Sequence, residues 1–182
     1  VDGDGLIESR IRLGISGSHQ WSTNWFDVLS FGWKDAFTNA LLYRALRLLP
    51  GVLTSLGQTG LAEGLDAWAD RLSAAYTPCF LNPATGWLAG WRCADDRLHD
   101  HAFVTVNGAA VVSGVLEPTI AREVVQRLWA EMRRVGFDDF RLGLPWNLHQ
   151  IISGTPSMTS ARDSSVAPQL ISSATQRPSR AP

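Results

Sequence analysis

The 182-residue chain has a single lysine, two cysteines and two methionines, and it lacks any excess of one charge. Each shortage removes a class of protein. Two cysteines, Cys79 and Cys93, are too few for a disulfide scaffold and do not form a Cys-x-x-Cys pair, so both read as reduced packing residues. No apolar run reaches the ~20 residues a membrane-crossing helix needs, and no membrane association is expected. Sixteen basic residues, all but Lys34 arginine and scattered along the chain, stand against seventeen acidic ones for a net charge of −1. That is too weak a positive field for nucleic acid, and no nucleic-acid partner is expected. The chain opens on Val1 and the turn-rich Asp2-Gly3-Asp4-Gly5 rather than on a charged and then apolar leader. No targeting signal is read. The expectation is a piece of something longer, with its localisation open.

Catalytic signatures are missing too. There is no G-x-S-x-G elbow, phosphate-binding loop, dinucleotide fingerprint or H-E-x-x-H pair, which argues against serine hydrolases, NTPases, simple dehydrogenases and zinc proteases. No cofactor and no metal centre are called for.

What is present is a core's worth of apolar side chains, 45% of the sequence, on a chain of single-domain length. All eight Trp, all seven Phe and both Tyr lie at or before Trp146. From Ser153 to Pro182 there are eight Ser, four Pro and three Thr with no aromatic residue. Such a segment cannot offset its ordering entropy by burial, and disorder is expected. The division is therefore a domain over 1–152 and a tail over 153–182. The tail reads either as a flexible linker or as sequence foreign to the domain.

Within 1–152 the apolar spacing is helical. Leu61, Leu65, Trp68, Leu72 and Tyr76 form one stripe. Phe37, Leu41, Ala45 and Leu48 form another, running from Lys34 to about Leu49, where Pro50-Gly51 should end or kink the helix before a last turn reaching Gly57. These two pair as a hairpin. Ile120, Val124, Leu128, Met132 and Val135 form a helix over about 118–135, opened by Pro118 and stopped by Gly136. Residues 103–116 suit a strand by their β-branched side chains and a buried helix by their small ones; the context favours helix. Between the pairs, Asn82-Pro83-Ala84-Thr85-Gly86 is a turn, Trp87 to Trp91 a short strand, and Asp95-Asp96 a second turn, together a small β-hairpin. The order is helix, helix, hairpin, helix, helix, a repeating αα design.

Residues the stripes leave unexplained collect in four loops. Asp2-Gly3-Asp4-Gly5-Leu6-Ile7-Glu8 resembles a calcium loop, but its last acidic ligand would fall at Ile11, so a structural turn or a substrate loop is the better reading. Gly17 to Asp27, with Phe31 to Asp35, sets Trp21, Trp25 and Trp33 among Asn24, Gln20, His19 and Asp27. Indole faces beside hydrogen-bonding groups suit a pyranose, which offers a C–H face and a hydroxyl rim. Asp35, beside Lys34, reads as a carboxylate at a helix start. Asp27, among aromatics that would raise its pKa, reads equally as a carboxylate at a helix start, with the tryptophans as core anchors, or as a catalytic acid. His99-Asp100-His101 could aim two imidazoles at a metal, but no second ligand cluster accompanies it. Phe140 to Leu148 adds Trp146, Arg141 and Asn147.

Five of these stretches, in this order, resemble the bacterial six-hairpin glycosidases: Asp2 to Glu8, Asn24-Trp-Phe-Asp27 running into Gly32 to Leu46, Asn82 to Trp87 with Trp91-Arg92, His99 to Gly108, and Gly143 to Leu148. The nearest shapes are the amylo-α-1,6-glucosidase-like and glycoside hydrolase family 63-like α-glycosidases, and the resemblance covers about 1–151. It implies an all-α fold, a partial (α/α)6 barrel of about two helical hairpins with a short β-hairpin insertion. It also implies inverting hydrolysis of an α-linked oligosaccharide. Inversion needs a carboxylic acid at the glycosidic oxygen and a carboxylate base about 6.5–9.5 Å away holding a water. By resemblance Asp27 is the acid, and Trp21, Asn24, Trp25, Trp33, Lys34, Trp87, His99, Asp100 and Asn147 line the sugar subsites. The family's base comes from a later hairpin, where this sequence has its Ser/Pro tail. The remainder of the barrel, base included, is therefore missing, and the chain by itself is expected to be inactive. The competing expectation is a non-catalytic helical-repeat module that binds a protein partner or a sugar, since a third of a barrel leaves apolar helix faces uncovered.

Overall fold

The computed structural model describes residues 2–9 and 31–151. Among them are β1 (Lys34–Asp35), α1 (Ala36–Ser55), α2 (Thr59–Phe80), β2 (Trp91–Arg92), β3 (Leu98–His99), α3 (Val104–Ser113) and α4 (Pro118–Arg134), followed by a 3-10 turn at Phe140–Leu142. The fold is mostly helical, with one small antiparallel sheet. The tail from residue 153 lies outside the described residues.

Helix α1 starts at Asp35, whose Oδ1 accepts the backbone N–H groups of Phe37 at 2.8 Å and Thr38 at 3.3 Å. Those are two of the donors a helix start leaves orphaned, so Asp35 is the capping carboxylate its position suggested. Pro50 does not end α1: the helix runs through it to Ser55, and the last turn expected towards Gly57 forms. The buried face also differs from the expected one. Leu41 is 48% and Leu48 63% exposed, and Ala45 is exposed with them, while Ala36, Asn39, Ala40, Leu46 and Pro50 face inward. Small residues at 36 and 40 let α1 lie close to α2, and Tyr76 of α2 donates its hydroxyl hydrogen to Ala36 O at 2.8 Å. Close approach, which apolar spacing does not encode, chose the face.

Helix α2 follows its expected stripe at the C-terminal end, with Leu72, Tyr76 and Phe80 fully buried, but Leu61 at the hairpin tip is exposed. Residues 103–116 resolve as helix, α3, ended by Gly114 in the left-handed region at φ 77°. Helix α4 opens on Pro118 and buries Val124, Leu128 and Met132 as expected, with Glu131 beside them. Its C-terminal glycine is Gly136, at φ 81°.

The sheet has the order β1-β2-β3, pairing Lys34 with Arg92, Asp35 with Trp91, and Trp91 with His99. The hairpin around Asp95-Asp96 was expected; the third strand was not, because Lys34 and Asp35 read as a helix start. The strand expected over Trp87–Trp91 shortens to Trp91–Arg92. Upstream of it, Leu88 bridges Leu81, and Gly90 has no room for a side chain: a Cβ there would lie 2.5 Å from Cε2 of Phe103.

One local device occurs twice. Asn39 in α1 accepts Ile7 N–H at 2.7 Å and donates to Ile7 O at 3.2 Å and Asp35 O at 2.9 Å. Asn107 in α3 accepts Leu88 N–H at 2.8 Å and donates to Leu88 O at 3.0 Å and Phe103 O at 2.8 Å. In each case a fully buried amide holds both backbone groups of an incoming loop residue against the first turn of a hairpin's first helix. Both loops pass through a glycine at positive φ, Gly5 and Gly86. Two helical hairpins thus receive their preceding loops in the same way, which is the mark of a structural repeat.

Candidate functional site

The sheet and the two asparagine brackets gather the loops that precede α1 and α3 onto one end of the hairpins. At this end lie the Asp2–Glu8 loop, Trp33-Lys34, the Asn82–Trp87 turn, His99–His101 and Asn147. The backbone itself ties them together: Glu8 bridges Lys34, and Phe103 bridges Asn147.

Lys34 is 4% exposed, and its ammonium lies 2.5 Å from Oδ2 of Asp2 and 2.5 Å from Oδ2 of Asp4. Burial pushes its pKa down, but the hydrogen bonds and charges of the two aspartates outweigh that and hold it above the ordinary lysine value. The Lys34 hydrogen bond in turn pulls Asp2 down to about 2. The aspartates that resemble a calcium loop thus surround the chain's one lysine, and the Lys34 charge is directed at them. Trp33 carries this ammonium 4.6 Å from its ring centroid and adopts φ 34°, a strained value for a bulky residue. Glu8, though burial pushes its pKa up, is held low by side-chain hydrogen bonding with Trp33 and by the Asp2 backbone.

Asp100 is half-buried, and four donors converge on it. Oδ2 accepts from Asn82 Nδ2 at 2.8 Å and Thr85 Oγ1 at 2.9 Å; Oδ1 accepts from Trp87 Nε1 at 2.7 Å and Ala102 N at 3.0 Å. Trp87 is 7% exposed, so its indole forms a wall beneath the loops rather than an open platform. His149 packs edge-on against it, with ring centroids 5.9 Å apart. The other side of that imidazole meets Glu131, with Nε2 at 2.5 Å from Oε1. Arg134 first, and then His149, draws the Glu131 pKa down to about 2 against the effect of burial. Asn147 donates to His149 O at 2.7 Å.

His99 stacks on Trp91 with centroids 4.5 Å apart and planes 9° from parallel, and its Nε2 is 3.2 Å from Cys93 Sγ. Burial, helped by the charges of Arg97 and His101, lowers its pKa to about 4, so the ring is neutral near pH 7. Burial lowers His101 as well. No group of three or more His, Cys, Asp or Glu side chains that could hold a metal occurs among the described residues. Neither Cys79 nor Cys93 is in a disulfide, and burial pushes the Cys79 thiol up to about 11.

No family model matches the chain. No curated protein matches it either.

Of the residues singled out from sequence, Trp33, Lys34, Trp87, His99, Asp100 and Asn147 come to this one end of the molecule. Trp21, Asn24, Trp25 and Asp27 lie outside the described residues. Sequence reasoning missed Asn39, Asn107, Glu131 and His149. For the asparagines no common spacing gave a signal, since Asn39 lies four residues beyond β1 and Asn107 eight residues beyond β3. For Glu131 there was none either, because it sits on a helix as any solvated glutamate would.

Proposed function

We propose that this chain is part of an inverting α-glycosidase-type domain that takes oligosaccharides of α-linked glucose or a related sugar at the loop end. The observation that carries the reading is the gathering of Trp33, Trp87, Asp100 and Asn147, residues from four separate motif stretches, at the end where loops enter the first helix of each hairpin. The repeated asparagine bracket supports the larger architecture, a partial (α/α)6 barrel in which each hairpin is one repeat. In this reading Asp27 is the general acid. It protonates the glycosidic oxygen as a water attacks the anomeric carbon from the opposite face and the carbon–oxygen bond breaks. A carboxylate base from a further hairpin takes the water's proton, and the sugar leaves with inverted configuration.

Binding comes before turnover in the test. Calorimetric titration of the chain with maltotriose should give saturable heat. In a version carrying all six hairpins, Asp27→Asn should keep that affinity and lose the hydrolysis of maltotriose. Absence of binding by the wild-type chain would overturn the reading; equal turnover by Asp27→Asn would remove Asp27 from it.

A second reading, a helical-repeat module that binds a partner protein, is favoured by one observation. Leu41, Leu48 and Val52 form an exposed apolar stripe along α1 that continues to Leu56 at its C-terminal cap. On that account, substitutions along the stripe abolish partner capture and substitutions at the loop end do not.

A further inference from the structure

Among the residues at the loop end, Asp100 has an arrangement that its place in a sugar-binding motif does not account for. A carboxylate that binds a sugar hydroxyl needs a free lone pair directed at the ligand. Each oxygen of Asp100 already takes two donors, and all four come from the chain itself: Asn82 Nδ2 and Thr85 Oγ1 on one oxygen, Trp87 Nε1 and Ala102 N on the other. A carboxylate has about four lone-pair positions, so this one is filled. The donors come from two separate motifs. Asn82, Thr85 and Trp87 belong to the turn after α2; Ala102 stands at the entrance to α3.

We infer that Asp100 is the positioning residue of the loop end: it fixes the plane of the Trp87 indole and, through that ring, the place of His149. The inference rests on the glycosidase reading for what the end binds, but not for the geometry. Ionised acceptors make hydrogen bonds roughly twice as strong as neutral ones, and here one of them points at an indole N–H that has a single hydrogen to give. The indole is then held from two sides, by Asp100 at its nitrogen and by the His149 ring at its edge. His149 is anchored beyond by Glu131, and its backbone N–H reaches His101 O at 3.2 Å. A chain of contacts thus runs from Asp100 through Trp87 and His149 to Glu131 on α4. Within it the His149 side chain is 35% exposed and is therefore open to a ligand. Asp100 acts on a bound sugar through Trp87 and His149 without touching it.

Asp100→Asn is the informative change, because an amide keeps the shape but replaces one double acceptor with a donor. At least one of the four hydrogen bonds is opposed, and the negative charge that strengthens the others, the one from the Trp87 indole included, is gone. In ¹H–¹⁵N spectra of the full chain, the variant should shift the Trp87 indole N–H and the His149 ring signals and speed exchange of that N–H about tenfold or more. The Trp68 indole, bonded to Gly5 O, should stay where it is. Maltotriose affinity should fall about tenfold, the size expected for losing a charge-assisted hydrogen bond. Trp87→Phe should lower it similarly, and Asp100→Asn added to Trp87→Phe should lower it no further. Two results overturn the inference: unchanged Trp87 and His149 signals in Asp100→Asn, or an Asp100→Asn penalty that persists in full in the Trp87→Phe background, which would mean direct contact with sugar. If wild type does not bind maltotriose, the glycosidase reading falls and the indole and imidazole signals alone decide the role of Asp100. Should Asp100→Asn fail to fold, Trp87→Phe leaves the carboxylate in place; it must still move the His149 signals, and unmoved signals overturn the inference.

Discussion

Oδ2 of Asp4 lies 2.5 Å from Nζ of Lys34, thirty residues along the chain, and Oδ2 of Asp2 stands at the same distance. One ammonium thereby pins the first loop to the sheet. It does so where a divalent cation would sit in a calcium loop, which gives a loop of the Asp-x-Asp-Gly type a physical role without a metal. Lys34→Met removes the cation and leaves two carboxylates facing each other around a buried position. The expected cost is about 2–3 kcal/mol, below the figure for a fully buried pair because Asp2 is partly exposed. Urea unfolding at pH 7 measures it, and a midpoint equal to wild type would show that the clamp contributes nothing.

The same clamp carries a pH signature. The folded pKa of Asp2 is lowered from 3.8 to about 2, so its contribution is complete above pH 3.8 and is lost as the pH falls through about 2. Lys34→Met should flatten the stability curve within that window and leave its shape above pH 5 unaltered. A curve that stays parallel to wild type across the window would assign the acid sensitivity elsewhere.

His99 acts in a different window. Stacked on Trp91 and half-buried, it has a folded pKa near 4 against an ordinary 6.5, and the unfolded chain therefore binds the proton more readily. Stability is lost as the pH falls from 6.5 towards 4, because protonation favours the unfolded state. His99→Phe keeps an aromatic ring on Trp91 and removes the titration. Thermal melts at pH 7 and pH 4.5 should show a smaller drop in Tm for the variant than for wild type; an equal drop refutes this assignment.

Glu131 tests the far side of the loop end. Arg134 and His149 hold its pKa at about 2 against an ordinary 4.5, so its contribution is present above pH 4.5 and is lost as the pH falls towards 2. Glu131→Gln keeps the volume and leaves Arg134 and His149 without their carboxylate. The segment carrying Asn147 and His149 should loosen from α4, read as faster amide exchange at Leu148 and His149, whose N–H groups bond to Ala102 O and His101 O. Unchanged protection there would mean that the backbone bonds alone hold the segment.

Much of the architecture was legible because period and caps agreed. Along α4, Pro118, the Val124-Leu128-Met132 stripe and Gly136 all pointed to the same bounds, and the Asp35 cap was readable from its place before an apolar run. What escaped depended on partners distant in sequence. The strand at Lys34–Asp35 exists because Arg92 and Trp91 lie alongside it, fifty-odd residues away. Glu131 is buried because His149 arrives over it, and Asp100 is saturated because the Asn82–Trp87 turn folds onto it. A single residue type at a single position carries none of that. The loop end was foreseen as a set of polar and aromatic residues, but not the division of labour within it, in which Lys34 and Asp100 serve the chain itself.

Helix α1 gives the sharpest case in which pattern and packing disagree. Its most regular apolar spacing, Leu41-Ala45-Leu48, faces outward and continues through Val52 and Leu56, whereas the inward face is built from Ala36, Ala40 and Leu46 around the Asn39 bracket. The two faces answer differently to substitution. Leu41→Gln, Leu48→Gln and Val52→Gln together remove apolar surface that is already in water, and each should change stability by no more than about 0.5 kcal/mol. Leu46→Ala, at 2% exposure, should cost about 2–4 kcal/mol through lost burial and the cavity left behind. Urea melts of the triple variant and of Leu46→Ala decide between the faces. A collapse of the triple variant with Leu46→Ala tolerated would mean that the outward stripe is covered in solution, and the partner-binding account would then gain the surface it needs.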